Sequence, residues 1–156
     1  MLITYGHQSL SSEDIEAVVN VLQSDFLTQG SAVPIFEEGL CQYTDANYAV
    51  ATTNGTSALH LACLALDLRE NEWLWTSPIS FVASANVARY CNAKVDFVDI
   101  DSKTYNMSVA ALEDKLISAR KKNKLPKVVI PVHFAGQSCD MQKIKELSIE
   151  YGFKII

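Results

Sequence analysis

From residue 48 onward, short apolar runs alternate with longer stretches of helical period, and that alternation leaves few folds open. Tyr48-Ala-Val-Ala-Thr52, Trp73-Leu-Trp-Thr76, Lys94-Val-Asp-Phe-Val-Asp99, the run 127–132 and Phe153-Lys-Ile-Ile156 read as strands. Between them, 56–66, 82–90, 108–122 and 140–151 carry apolar residues at helical spacing. Strands joined by helical crossovers run parallel and need helices on both faces of the sheet. The expected class is therefore α/β, three layers built on a mainly parallel sheet.

The first 47 residues follow a different pattern. Ser11-Ser-Glu-Asp14 forms a capping box, with Ser11 as N-cap and an acid at the third helical position. Ile15, Val18, Val19 and Leu22 follow at helical spacing, so 12–24 reads as an amphipathic helix. The stretch 24–31 breaks the period and reads as a loop. Pro34 suits the first turn of a second helix, continued by Phe36, Leu40 and Tyr43. The expected division is an N-terminal helical segment and loop region, 1–47, and the first part of a larger α/β domain, 48–156. Lys154-Ile-Ile156 stops inside an apolar run with no turn or polar tail. A sheet cut there leaves a bare apolar edge, so the expectation is a truncated domain that aggregates or stays partly unfolded alone.

Charge narrows the function classes. The net charge of −5 disfavours a nucleic-acid partner held through phosphate contacts. The run Arg120-Lys-Lys-Asn-Lys124 closes a helix, where cations suit the dipole, and reads as a solvated face. No window approaches the roughly 18 apolar residues of a membrane span, and Met1 opens no charged-then-apolar leader. Cys41, Cys63, Cys91 and Cys139 form no CxxC pair and sit in apolar settings, which reads as free thiols in a reducing cytoplasm. His7 and His60 have no metal spacing with carboxylate or cysteine, so no metal is expected.

Three strand ends carry the chemistry. Asn54-Gly-Thr-Ser57 opens a helix, and Gly55 permits a tight turn and close approach to a ligand. Thr56 and Ser57 add hydroxyls beside the free N–H groups of the first turn, a combination that holds phosphate; a Thr or Ser serving only as helix cap is the competing reading. Phe81, in Thr76-Ser-Pro-Ile-Ser-Phe81, stands where a ring could stack on a flat heterocycle, although taken singly it reads as core. His133, in Val132-His-Phe-Ala-Gly136, either touches a ligand or is a satisfied strand-end histidine. Neither the G-x-G-x-x-G dinucleotide fingerprint, a Walker loop nor a G-x-S-x-G elbow is present.

In this order the motifs resemble the DegT/DnrJ/EryC1/StrS family, fold-type-I aminotransferases that use pyridoxal 5'-phosphate (PLP) on nucleotide-linked keto-sugars. The resemblance spans the chain: Leu27-Thr-Gln-Gly30, Phe36-Glu-Glu38, Asn54-Gly-Thr-Ser-Ala-Leu-His60, Thr76-Ser-Pro-Ile-Ser-Phe-Val-Ala83 with Asn86, Val98-Asp-Ile100, and His133-Phe-Ala-Gly136 with Asp140-Met141. Ile3-Thr-Tyr-Gly-His-Gln8, Leu27-Thr-Gln-Gly30 and Glu37-Glu-Gly-Leu-Cys41 are similar to members that aminate C4 of a UDP-linked 4-keto-6-deoxy amino sugar in pseudaminic acid biosynthesis. The resemblance implies that the chain is the front part of the PLP-binding large domain. It implies that Gly55, Thr56 and Ser57 hold the cofactor phosphate and Phe81 stacks on its ring. Tyr5, Leu27 and Thr28 would border the sugar nucleotide, with Asn86 and His133 in support. It further implies a UDP-sugar substrate, an amino donor such as glutamate, and a homodimer. No catalytic residue is assigned. The aspartate at the pyridinium nitrogen and the lysine that anchors the cofactor follow the strand at Phe153 in the family, and Lys154 falls too early to be that lysine. The alternatives are a non-catalytic relative that binds PLP or a sugar nucleotide, a sibling acting on another keto-sugar, and an unrelated nucleotide-binding module.

Overall fold

The computed structural model describes residues 6–156. Backbone contacts divide the chain into two units that meet between Ala51 and Thr52, so residues 48–51 go with the first.

In the first unit, α1 spans Ser12–Leu22 and α2 spans Ala32–Thr44. The capping box closes α1 as its sequence predicts. The Ser11 hydroxyl accepts the Asp14 N–H at 3.2 Å, and the Asp14 carboxylate accepts the Ser11 N–H at 2.9 Å. Pro34 stands in the first turn of α2, where its missing N–H has no intrahelical partner to lose. Asp45 ends that helix in the left-handed region, φ 56°. The apolar stripe of α1 is not covered by the described residues: Ile15, Val18, Val19 and Leu22 are all exposed. Period alone marks a face that favours burial, and it does not say against what.

The second unit holds α3 (Gly55–Ala65), β1 (Trp73–Thr76), α4 (Ala83–Tyr90), β2 (Lys94–Phe97), α5 (Val109–Lys121), β3 (Val128–Ile130), α6 (Met141–Tyr151) and β4 (Lys154–Ile155). A single 3₁₀ turn, Phe134–Gly136, interrupts the loop after β3. The strands run in the order β2-β1-β3-β4, every pairing parallel, with Leu74 opposite Val95 and Val128. The period of two then sorts the core. Trp75 and Val129 join Leu112, Leu116, Ile144 and Leu147 of α5 and α6. Leu74, Val128 and Ile130 point the other way, to Cys63 of α3 and Val87 and Ala88 of α4. Two cores on opposite faces of one sheet make the expected helix–sheet–helix sandwich.

Two strand readings need correction. Residues 48–52 form no strand, and Tyr48 is 90% exposed. A strand is held by ladder bonds, and here the Ala51 N–H goes to the Glu37 carboxylate at 2.7 Å. β2 stops at Phe97 rather than Asp99. Past Phe97 the Val98 N–H still reaches the Thr76 carbonyl at 2.9 Å, but β1 ends at Thr76 and the Ile100 N–H turns to the Asp99 carboxylate at 2.8 Å.

Candidate cofactor and substrate site

In a parallel sheet the carboxyl ends of the strands line the ligand crevice, and β1, β2 and β3 release their loops on that side. The turn into α3 is built by Asn54. Its backbone is extended (φ −169°, ψ 170°), and its side-chain oxygen accepts the Ser57 N–H at 2.9 Å. Its carbonyl accepts the Ala58 N–H at 3.1 Å. The cap is thus Asn54, and the reading in which Thr56 or Ser57 serves as the cap falls away.

What remains of the first turn is a set of donors. The N–H groups of Gly55 and Thr56 and the Thr56 hydroxyl make no hydrogen bond among the described residues. The Ser57 hydroxyl lies 3.2 Å from the Thr53 hydroxyl and keeps capacity for a further partner. Gly55 itself is not needed for the turn, contrary to the sequence reading. Its φ is not positive, and an added Cβ would meet nothing within 4 Å. Donors without acceptors, at the positive end of a helix of 11 residues, suit a phosphate and repel nothing on it.

Phe81 is 75% exposed, which overturns its single-residue reading as core. It lines a hollow of about 200 Å³ at the end of β1, with Thr76, Ser77, Pro78, Ser84 and Phe97. Ser77 is 2% exposed, and its hydroxyl has no hydrogen-bond partner among the described residues. Sequence reasoning passed over both Ser77 and Phe97. The first looks like an ordinary residue before proline, the second like the middle of a strand. None of the residues 54–57 lines this hollow. Asn86 is half-buried on α4. His133 is exposed, and its Nδ1 accepts the Cys139 N–H at 3.2 Å.

Leu27 and Thr28 lie in the first unit. Leu27 is 65% exposed and lines a hollow of about 330 Å³ with Phe26, Gln29 and Gly30. Tyr5 lies outside the described residues. Among the described residues, no helix is long and apolar enough to cross a membrane, and no three His, Cys, Asp or Glu side chains gather as a metal site.

A turn with unpartnered donors and an exposed ring at the end of a parallel sheet are a pattern shared by many proteins. The family is decided by comparison, which matches residues 8–156 to the DegT/DnrJ/EryC1/StrS aminotransferase family. The chain belongs to that family. A DegT/DnrJ/EryC1/StrS relative from Campylobacter jejuni, UDP-4-amino-4,6-dideoxy-N-acetyl-beta-L-altrosamine transaminase, is 37% identical over 155 residues, 99% of this chain and 40% of the relative. Helicobacter pylori PseC, described as an aminotransferase involved in the biosynthesis of pseudoaminic acid, superposes with a TM-score of 0.83 at 31% identity. That match covers 97% of this chain and 40% of the other. A Streptococcus pneumoniae chain solved in a PLP form superposes at 0.84 with 25% identity, over 99% of this chain and 38% of its own. The chain thus spans about two fifths of the length of the curated relatives it matches.

Proposed function

We propose that this chain supplies the phosphate cradle and the ring-stacking wall of a PLP-dependent sugar aminotransferase acting on a UDP-linked 4-keto-6-deoxy amino sugar in pseudaminic acid biosynthesis. The observation that carries the reading is the leftover donor set of α3, Gly55 N–H, Thr56 N–H and the Thr56 hydroxyl, in a member of an aminotransferase family. When bound, the cofactor supplies an electron sink for moving an amino group. The residues here do the holding. The α3 turn binds a dianion through backbone N–H groups and hydroxyls, and the helix dipole adds to the attraction. Phe81 offers an exposed face against which a flat ring excludes water. Leu27 and Thr28 are assigned to the sugar-nucleotide side. Support for the sugar comes from the Campylobacter and Helicobacter relatives, whose names carry that chemistry.

The amino-transfer step is assigned to none of these residues. Lys154 stands exposed at the start of β4, away from the strand ends where the crevice opens. The same reading carries an amino donor such as glutamate, a homodimer and a cytoplasmic setting. The test is cofactor titration of the complete polypeptide. Thr56→Ala is expected to weaken PLP binding by about 1–3 kcal/mol, the cost of losing a hydrogen bond to a charged group. Phe81→Ala is expected to weaken it independently. PLP affinity unchanged in both variants rejects the site; affinity lost in both with no turnover of UDP-linked 4-keto sugars rejects the substrate only.

A further inference from the structure

Asn106 is the one buried carboxamide among the described residues, 4% exposed, and every polar atom of its side chain is used. Nδ2 donates to the carbonyls of Gln137 and Ser138 at 3.0 and 3.1 Å, and Oδ1 accepts the Phe134 N–H at 2.9 Å. All three partners lie on the loop that follows β3, about 30 residues further along the chain. Loop backbone is normally satisfied by water or by its own turns. A buried amide that ties three of its groups to another loop fixes its shape.

The loop so fixed is the one that bears His133. Cys139, 5% exposed, donates its N–H to His133 Nδ1 at 3.2 Å, and its Sγ lies 3.3 Å from the Val132 carbonyl. A nitrogen that accepts an N–H carries no proton of its own, so the neutral ring is the Nε2–H tautomer. The ring is exposed, and Nε2 has no partner among the described residues. Asn106 and Cys139 together leave one donor pointing outward from the strand-end loop after β3.

We infer that Asn106 is a positioning residue whose task is to hold His133 so that its Nε2–H donates to an oxygen of the bound ligand. The acceptor is an anionic or carbonyl oxygen, on either the pyridoxal ring or the keto-sugar. This rests on the cofactor reading of the α3 turn, and it adds two residues that the turn does not contain.

Three measurements on the complete polypeptide test it. Without ligand, the ¹⁵N shifts of the His133 ring are expected to show Nδ1 unprotonated; a proton on Nδ1 overturns the inference. His133→Ala is expected to weaken binding roughly tenfold to a hundredfold, with His133→Gln, whose amide N–H can stand in for Nε2–H, recovering most of it. If the acceptor is on the cofactor the loss appears in the PLP dissociation constant. If it is on the sugar, PLP affinity is kept and the sugar KM rises. No change in either quantity overturns the inference. Asn106→Ala should show a comparable loss alone and none in a His133→Ala background, while lowering the melting temperature in both. Full additivity overturns the positioning role. Should Asn106→Ala fail to fold, the tautomer and the His133 series still decide. A native protein that binds no PLP sinks the cofactor reading instead, and the ligand-free tautomer still tests the clamp by itself.

Discussion

The side-chain oxygen of Asn54 accepts the Ser57 N–H at 2.9 Å, and that one bond decides which donors of the α3 turn are left over. A helix begins with N–H groups that lack intrahelical partners. Asn54 takes the one from Ser57 with its side chain, and its carbonyl takes the Ala58 N–H at 3.1 Å. Gly55 and Thr56 keep theirs. The cap and the candidate phosphate site are therefore complementary halves of one turn, and substitutions can separate them.

Asn54→Ala should lower stability by about 0.5–2 kcal/mol through the lost cap. Asn54→Asp keeps an acceptor at the cap and should leave stability nearly unchanged, yet it puts a negative charge beside the two free N–H groups. PLP or inorganic phosphate should then bind more weakly to Asn54→Asp than to the native protein. Urea melts and ligand titrations on the same pair of variants check this. Equal anion affinity in Asn54→Asp and native protein removes the turn as a phosphate site.

Much of this is legible in the sequence, for identifiable reasons. The capping box at Ser11 and the helices of the second unit announce themselves by local rules of capping and period, and local rules need no partner. The run 48–52 resembles a strand by composition, but a strand exists only with a neighbour, and the Ala51 N–H is instead bound to Glu37. Phe81 defeats single-residue reasoning because apolarity predicts burial only on average, and Phe81 is 75% exposed. Asn106 is invisible in the sequence: its three partners lie some 30 residues away, and nothing in Tyr105-Asn106-Met107 marks it.

Gly30 presents a sharper steric requirement than Gly55. A Cβ at Gly30 would sit 2.6 Å from the Phe26 carbonyl oxygen, a backbone atom that cannot swing aside. Gly30→Ala should therefore distort the loop that carries Leu27 and Thr28, while Gly55→Ala, with open space for its Cβ, should leave the fold intact. On the proposed assignment Gly30→Ala raises the sugar KM, leaving PLP affinity unchanged. Amide shifts confined to 26–31 in the variant, against the native spectrum, locate the change.

The core on the α5 and α6 face should respond to truncation by depth. Leu116 is fully buried, whereas Ile117 beside it is 42% exposed. Leu116→Ala should cost roughly 2–5 kcal/mol, the transfer term plus an unfilled cavity. Ile117→Ala removes a comparable side chain from a site already facing water and should cost well under half as much. Denaturant midpoints at constant slope measure both. Similar losses at the two positions contradict the described face of α5.

The four thiols should divide by burial, and one of them should make the fold sensitive to alkali. Cys63, Cys91 and Cys139 are buried and Cys41 is half-buried, so a thiol reagent under native conditions should modify Cys41 first. Burial, and then the nearby Cys91 thiol, pushes the Cys63 thiol up from 9.0 to about 11. Between those two values the unfolded chain has given up the Cys63 proton while the folded chain still holds it. The folded state then binds more protons, and stability falls as pH rises. Cys63 thus favours the fold fully below pH 9.0 and loses that contribution progressively toward about 11. Tyrosines and lysines titrate in the same window, so the comparison is with Cys63→Ala. That variant is less stable at neutral pH for want of packing, and its denaturant midpoint should fall less steeply above pH 9.0 than the native one. Parallel slopes in the two proteins would mean that the Cys63 thiol ionises in the fold as readily as in the unfolded chain.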